Sequence, residues 1–118
     1  MAEELDQDAI RNIKELMADS FPDVVEKYIE NSENRIEQIR EGFSCNNCGL
    51  VSASAHPLKS SSATLGIFPL SAIAEKIEFM ANDACKNGRD MGKIGPLLND
   101  LKSTFANVKQ KLLAEIQR

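Results

Sequence analysis

The sequence has no tryptophan, one tyrosine and one histidine in 118 residues. Aromatics make up only 5% of it, so short aliphatic side chains must fill any core. No apolar run is long enough to cross a bilayer, which excludes a membrane-spanning helix. The acidic start MAEELDQDAI has neither the pattern of a signal peptide nor that of a transit peptide, so a cytoplasmic protein is expected. Cysteine is scarce and odd in number, at three, so a complete disulfide framework is excluded. That agrees with a reducing compartment. No segment alternates with a period of two, so strands are not expected. There is no glycine-rich loop to cradle nucleotide phosphates, so ATP-dependent kinase activity is not expected. Internal repeats and low-complexity linkers are absent too.

Charge of one sign is also limited. The net charge of -4 argues against general affinity for nucleic acid. Residues 1–42 carry 12 acids against 5 bases, and residues 43–118 carry 6 against 9. The histidine lies in the more basic part, which would suit an anion. A plain dipole between helical faces accounts for the same numbers.

What the sequence does have is helical periodicity. Ile10, Ile13 and Met17 follow a capping Asp6. The stretch DSFPD opens a second segment, with Ser20 as cap and Pro22 in the first turn. That segment runs through Val25, Tyr28, Ser32, Ile36 and Ile39, and Gly42 is expected to end it. A loop FSCNNCG follows. The third segment carries Val51, Ala55, Leu58, Ser62 and Leu65 inward and stops at Gly66. Pro69 starts the fourth, with Leu70, Ile73, Ile77, Met80 and Ala84, stopping near Gly88. The joint GRDMGKIGP leads to a fifth with Leu98, Leu101, Phe105, Val108, Leu112 and Ile116. The expected fold is all-α: one domain over residues 1–118, an antiparallel four-helix bundle with a short additional N-terminal helix.

The single histidine, His56, sits in SASAHPLKSSSATLG. With Ala55, Leu58, Ser62 and Leu65 turned inward, Ser52, His56, Lys59, Ser60 and Ala63 share the outward face. An exposed imidazole nitrogen, a cation one turn away and low steric bulk are what a phosphoryl acceptor needs. Lys59 supplies the cation, and Ser60, Ala63 and Ser54 keep the surface low. Hydroxyls of Ser60 or Ser61 could donate to phosphate, but back-bonding to the preceding turn is the plainer reading for any one serine. Pro57 costs a helix interior about 3 kcal/mol. Either the helix starts close to Ser54 or it kinks at Pro57, and a kink fits the continued inward seam better.

The stretch AHPLKSSSATLG resembles the signature of histidine-containing phosphotransfer domains, roughly A-H-x-L-K-G-S-S-x-x-x-G. Ala55, His56, Leu58, Lys59, Ser61, Ser62 and Gly66 match, and Ser60 stands where the family has glycine. KIEFMANDACKNG is similar to the family's next helix, and the helix pattern extends the likeness to residues 5–117. The resemblance implies a phosphorelay intermediate. His56 would take a phosphoryl group from a receiver-domain aspartyl phosphate and pass it to another receiver aspartate. Lys59 would stabilise the charged oxygens, and Ser60 would give the clearance that the glycine gives. The implied partners are response-regulator receiver domains and a hybrid sensor histidine kinase. No cofactor is implied in this chain, because magnesium belongs to the receiver. The chain would be a monomeric carrier and not a kinase, with its docking surface on the exposed faces of helices two and three.

Two other readings compete. Cys45 and Cys48 form C-x-x-C, a spacing that suits zinc or redox chemistry. The bundle topology would bring Cys85 to the same end, where three thiols could bind a metal or form a disulfide. His56, eight residues past Cys48, is a poor fourth ligand. The third reading is a docking bundle that does no chemistry and in which His56 is incidental.

Overall fold

The computed structural model describes residues 5–116, so the outermost residues of the expected 1–118 domain lie outside it. Among the described residues every regular element is helical. We label them α1 (Gln7–Met17), α2 (Phe21–Ser44), α3 (Cys48–Thr64), α4 (Phe68–Asn87) and α5 (Ile94–Ile116), with a 3₁₀ turn over Ala18–Ser20 between the first two. The fold is an antiparallel four-helix bundle of α2 to α5, with α1 as the short extra helix. Each bundle helix packs on two neighbours: α2 on α3 and α5, and α4 on α3 and α5. The closest association is between α3 and α4.

The inward positions behave as their spacing dictates. Val25, Ile39, Val51, Ala55, Leu58, Leu70, Ile77, Leu101, Val108 and Leu112 are all buried. Ile73, Met80 and Ile116 pack against this core from its edge. Met91 and Ile94 are buried as well, so the joint after α4 contributes to the core and α5 begins earlier than its apolar stripe suggests.

Several boundaries differ from expectation. Gly42 does not end α2, which continues to Ser44. Gly42 is buried inside the helix because α3 passes close to it. A Cβ there would lie 2.8 Å from Val51 Cγ2. The loop between α2 and α3 is correspondingly short, Cys45 to Asn47. Ser20 stands at the N-cap of α2, but its side chain makes no capping bond. The preceding 3₁₀ turn already gives Ser20 helical angles, so the hydroxyl is not presented to the first turn. α3 runs unbroken through Pro57 and does not start near Ser54.

Asp6 caps α1 as expected, accepting from Ala9 N at 3.0 Å. The helix is seated on the turn between α3 and α4, where Asp6 N donates to Gly66 O at 2.9 Å. An ion pair between Lys14 and Glu115 at 2.6 Å ties it to α5.

One buried polar contact joins α2 to α3. The hydroxyls of Tyr28 and Ser62 lie 2.7 Å apart. Burial pushes the Tyr28 phenol up from 10.0 to about 12, against the lowering effect of its hydroxyl neighbours. The raised value means that the bundle prefers neutral Tyr28. Its contribution to stability is full below pH 10 and is lost as pH rises through about 12. With no tryptophan and one tyrosine, absorbance near 295 nm reads this group alone. The folded protein should titrate near 12 and the urea-unfolded chain near 10; a single midpoint for both would contradict the burial. Tyr28→Phe should cost about 1–2 kcal/mol in urea unfolding, because Ser62 is left buried without its partner.

Candidate functional site

Local sequence builds one accessible face on α3. Asn47 starts the helix by accepting from Leu50 N at 3.0 Å. The buried seam of Val51, Ala55, Leu58 and Ser62 then turns the opposite stripe outward. His56 stands on that stripe with 63% of its side chain exposed. Lys59 lies half-buried one turn later, and Ser60 and Ala63 are exposed beside it. The structure thus brings His56, Lys59 and Ser60 together.

The serines divide. Ser54 is buried, not part of the open face, because it points toward α2, where its hydroxyl donates to Gln38 Oε1 at 3.2 Å. Ser61 bonds back to Leu58 O at 3.3 Å, and Thr64 bonds back to Ser60 O at 2.9 Å. These are the local bonds expected of hydroxyls in a helix.

The decisive partner comes from α4. Glu78 reaches across the seam and takes both His56 and Lys59. Its Oε2 lies 2.6 Å from His56 Nδ1, and its Oε1 accepts from Lys59 Nζ at 2.7 Å. Periodicity on α3 gives no sign of it. The signal lies in the hairpin: the two residues are 22 apart and centred on Ile67, in the turn between the helices. Two equal helical arms from that turn bring position 56 to position 78.

The electrostatics fix the chemistry of the ring. Partial burial pushes the Glu78 carboxyl up, but the hydrogen bonds from Lys59 and His56 outweigh it and hold it below the usual glutamate range. The same bond raises Lys59. Both groups are therefore ionised at neutral pH. An ionised carboxylate only accepts hydrogen bonds, so Nδ1 must donate. In the neutral ring this leaves the lone pair on Nε2, on an imidazole open to solvent.

The cysteines form a different centre. Cys48 and Cys85 are joined by a disulfide, and Cys45 remains a free, exposed thiol. The bundle end does bring Cys85 to Cys48, but two of the three thiols are spent on each other. Among the described residues no group of three histidine, cysteine or acidic side chains could hold a metal ion.

A depressed Glu78 is present as carboxylate above the ordinary range and loses its contribution only as pH falls through the lowered value. The side-chain carboxyl carbon of Glu78, followed by NMR, should titrate below that of free glutamate. Lys59→Met should move its midpoint upward by removing the first of its two donors. A midpoint at or above the ordinary value in the wild type would refute the shared contact.

Comparison with known proteins agrees with this geometry. The family model for the Hpt domain matches residues 23–111. No curated protein matches the chain in sequence. Among solved structures, the chain is similar to histidine-containing phosphotransfer protein B (HptB) from Pseudomonas aeruginosa PAO1, with a TM-score of 0.91. The identity is 21%, over 100% of this chain and 98% of that chain. At that identity the likeness shows a shared fold. The family match takes in both halves of the α3–α4 seam, His56 with Lys59 and Glu78, and on it this chain belongs to the Hpt domain family.

Proposed function

We propose that His56 accepts a phosphoryl group on Nε2 from a receiver aspartyl phosphate and hands it to a second receiver aspartate. Hpt domains serve as histidine phosphotransfer carriers in two-component phosphorelays, with receiver domains and kinases as partners. The observation that supports this assignment is the Glu78 carboxylate on His56 Nδ1. It orients an exposed ring with Nε2 as its nucleophilic atom.

The chemistry follows from that contact. Nε2 attacks the phosphorus. The bond from phosphorus to the aspartate oxygen breaks, and its electron pair returns to the aspartate carboxylate. The new N–P bond places positive charge on a ring that keeps its Nδ1 proton. Glu78, already ionised, offsets that charge without reorganising. Lys59, one turn away and resting on Glu78, is within a side-chain rotation of the transferring oxygens. Ser60, small and exposed, occupies the position where bulk would hinder the receiver. The step back to a second aspartate reverses these changes. The magnesium is assigned to the receiver, and this chain supplies the ring, the carboxylate and the cation.

The receiver is placed on the exposed faces of α2 and α3. Two contacts set their register, Tyr28 with Ser62 and Gln38 with Ser54. In that antiparallel register Arg35 stands at the height of His56. Its guanidinium donates to Gln38 Oε1 at 3.2 Å. It adds a cation on the α2 side of the landing surface for an aspartate-bearing partner.

The test is transfer from a prephosphorylated receiver, with magnesium, to the wild type and to His56→Gln. The wild type should take up an acid-labile, base-stable label, and the variant none while still binding the receiver. Glu78→Gln should slow transfer by about 10- to 100-fold, since a fixed charge beside the reacting ring is removed. A panel of receivers that bind but never transfer would establish a docking bundle instead. Full transfer to Glu78→Gln would remove Glu78 from the mechanism and leave His56 in it.

A further inference from the structure

The cysteines are not used by the relay, yet they share its seam. Cys48 is the first residue of α3, and Cys85 lies in the last turn of α4. Their Cα atoms are 5.7 Å apart across the bridge. One turn along, Ser52 donates to Asn82 at 2.6 Å. One turn beyond that, His56 meets Glu78 at 2.6 Å. The three contacts step by four residues on α3 and by three and four on α4, so they are rungs of one ladder.

This bridge is not needed to hold the bundle together. The apolar core runs through all four bundle helices, and a domain of this size folds without cross-links. The bridge is also open to attack. Cys85 is exposed, and the free thiol of Cys45 lies in the adjoining loop, three residues before Cys48. A bridge that is dispensable to the core, reachable from solvent and next to a spare thiol has the placement of an exchangeable one.

We propose that Cys48 and Cys85 form a reversible thiol–disulfide site that sets how well His56 accepts phosphoryl groups, acting through the α3–α4 seam. The inference rests on the relay reading above. Its reactants are small disulfides and dithiols. In closing, the Cys48 thiolate attacks a small disulfide and expels one thiol. The Cys85 thiolate then attacks the Cys48 sulfur of the mixed disulfide and expels the second. The two cysteines give up two electrons and two protons, and the small disulfide becomes two thiols. Opening by a dithiol reverses this and leaves the dithiol as its own disulfide. Closed, the bridge pins the first turn of α3 to the last turn of α4. Ser52–Asn82 and His56–Glu78 are then held in register. Open, both helix ends lose their tie and fray, and the His56–Glu78 rung loosens.

The test uses the whole chain, closed with oxidised glutathione or opened with dithiothreitol. Maleimide labelling should count one free thiol when closed and all three cysteines when open. Peptide mapping should join Cys48 to Cys85. Transfer to the closed form should be about 3- to 10-fold faster, less than the roughly 100-fold that a 1 Å displacement can cost. The Nδ1–H signal of the single histidine should be sharp when closed and exchange-broadened when open. The double variant Cys48→Ser/Cys85→Ser should behave as open under both conditions, and Cys45→Ser should keep the response. Equal transfer to the closed and open forms overturns the proposal and leaves the relay standing. A bridge from Cys45 to Cys48, or three free thiols after glutathione treatment, also overturns it. No transfer to either form overturns the relay reading; an Nδ1–H signal indifferent to the bridge then overturns the seam coupling as well.

Discussion

Gly66 takes a φ of +74°, and a Cβ there would fall 2.4 Å from the Cβ of Ala9. Any other residue would meet both a disfavoured backbone and a collision. The reversal it permits is short, with α3 ending at Thr64 and α4 beginning at Phe68. A turn that tight sets which residues of the two helices face each other, and contacts farther along the seam hold them there. Pairs then meet at fixed separations: 22 for His56 and Glu78, 30 for Ser52 and Asn82, 37 for Cys48 and Cys85. The carbonyl of Gly66 also anchors α1 through Asp6 N. Both the N-terminal helix and the geometry of the histidine therefore depend on one glycine turn.

The contact between Glu78, His56 and Lys59 orients more than it stabilises. Ion pairs open to solvent contribute little to stability. Stability comes from the apolar seam, where Ala55, Leu58, Ala74, Ile77 and Ala81 are buried. The two jobs are divided between faces of the same helices. α3 turns its apolar residues and the Ser62 hydroxyl inward and leaves the His56 stripe outside the apolar core. Small residues on that stripe cost the core nothing, because none of them belongs to it.

The helices, the inward seam and the exposure of His56 were legible because they are periodic. Burial of one stripe of α3 requires the opposite stripe to be wet. Gly42 was misread because glycine at a helix end and glycine at a close helix crossing look alike in sequence; only the approach of Val51 tells them apart. Ser54 was misread because the α2–α3 crossing draws toward Gln38 a side chain that lies one position outside the apolar seam. Glu78 was not found, since an acid on a mostly polar stripe of α4 has no local mark. Its meaning lies in a register set by the distant turn at Gly66. The C-x-x-C spacing and the bundle topology together brought the three thiols to one bundle end but left the pairing open, and only the α3–α4 register shows that Cys48 bonds Cys85 and not Cys45.

Under the proposed relay, sharing one carboxylate has a consequence for Lys59. In the free protein its ammonium rests on Glu78 at 2.7 Å, while the other oxygen holds the ring. An arriving phosphoryl group offers Lys59 oxygens with more charge than half a carboxylate. The existing pair is weak enough to leave, because it is partly exposed and its long side chain gains freedom on release. When Lys59 turns to the phosphate, Glu78 keeps one donor instead of two. Its full charge then falls on the imidazole, at the moment when the N–P bond makes that ring positive. The cation and the carboxylate are thus exchanged from each other to the two ends of the bond being formed. A carrier must also release its cargo, and the same exchange run backward restores the resting pair. Lys59 and Glu78 together therefore favour neither donor nor acceptor strongly, which is the condition for passing a group on rather than trapping it.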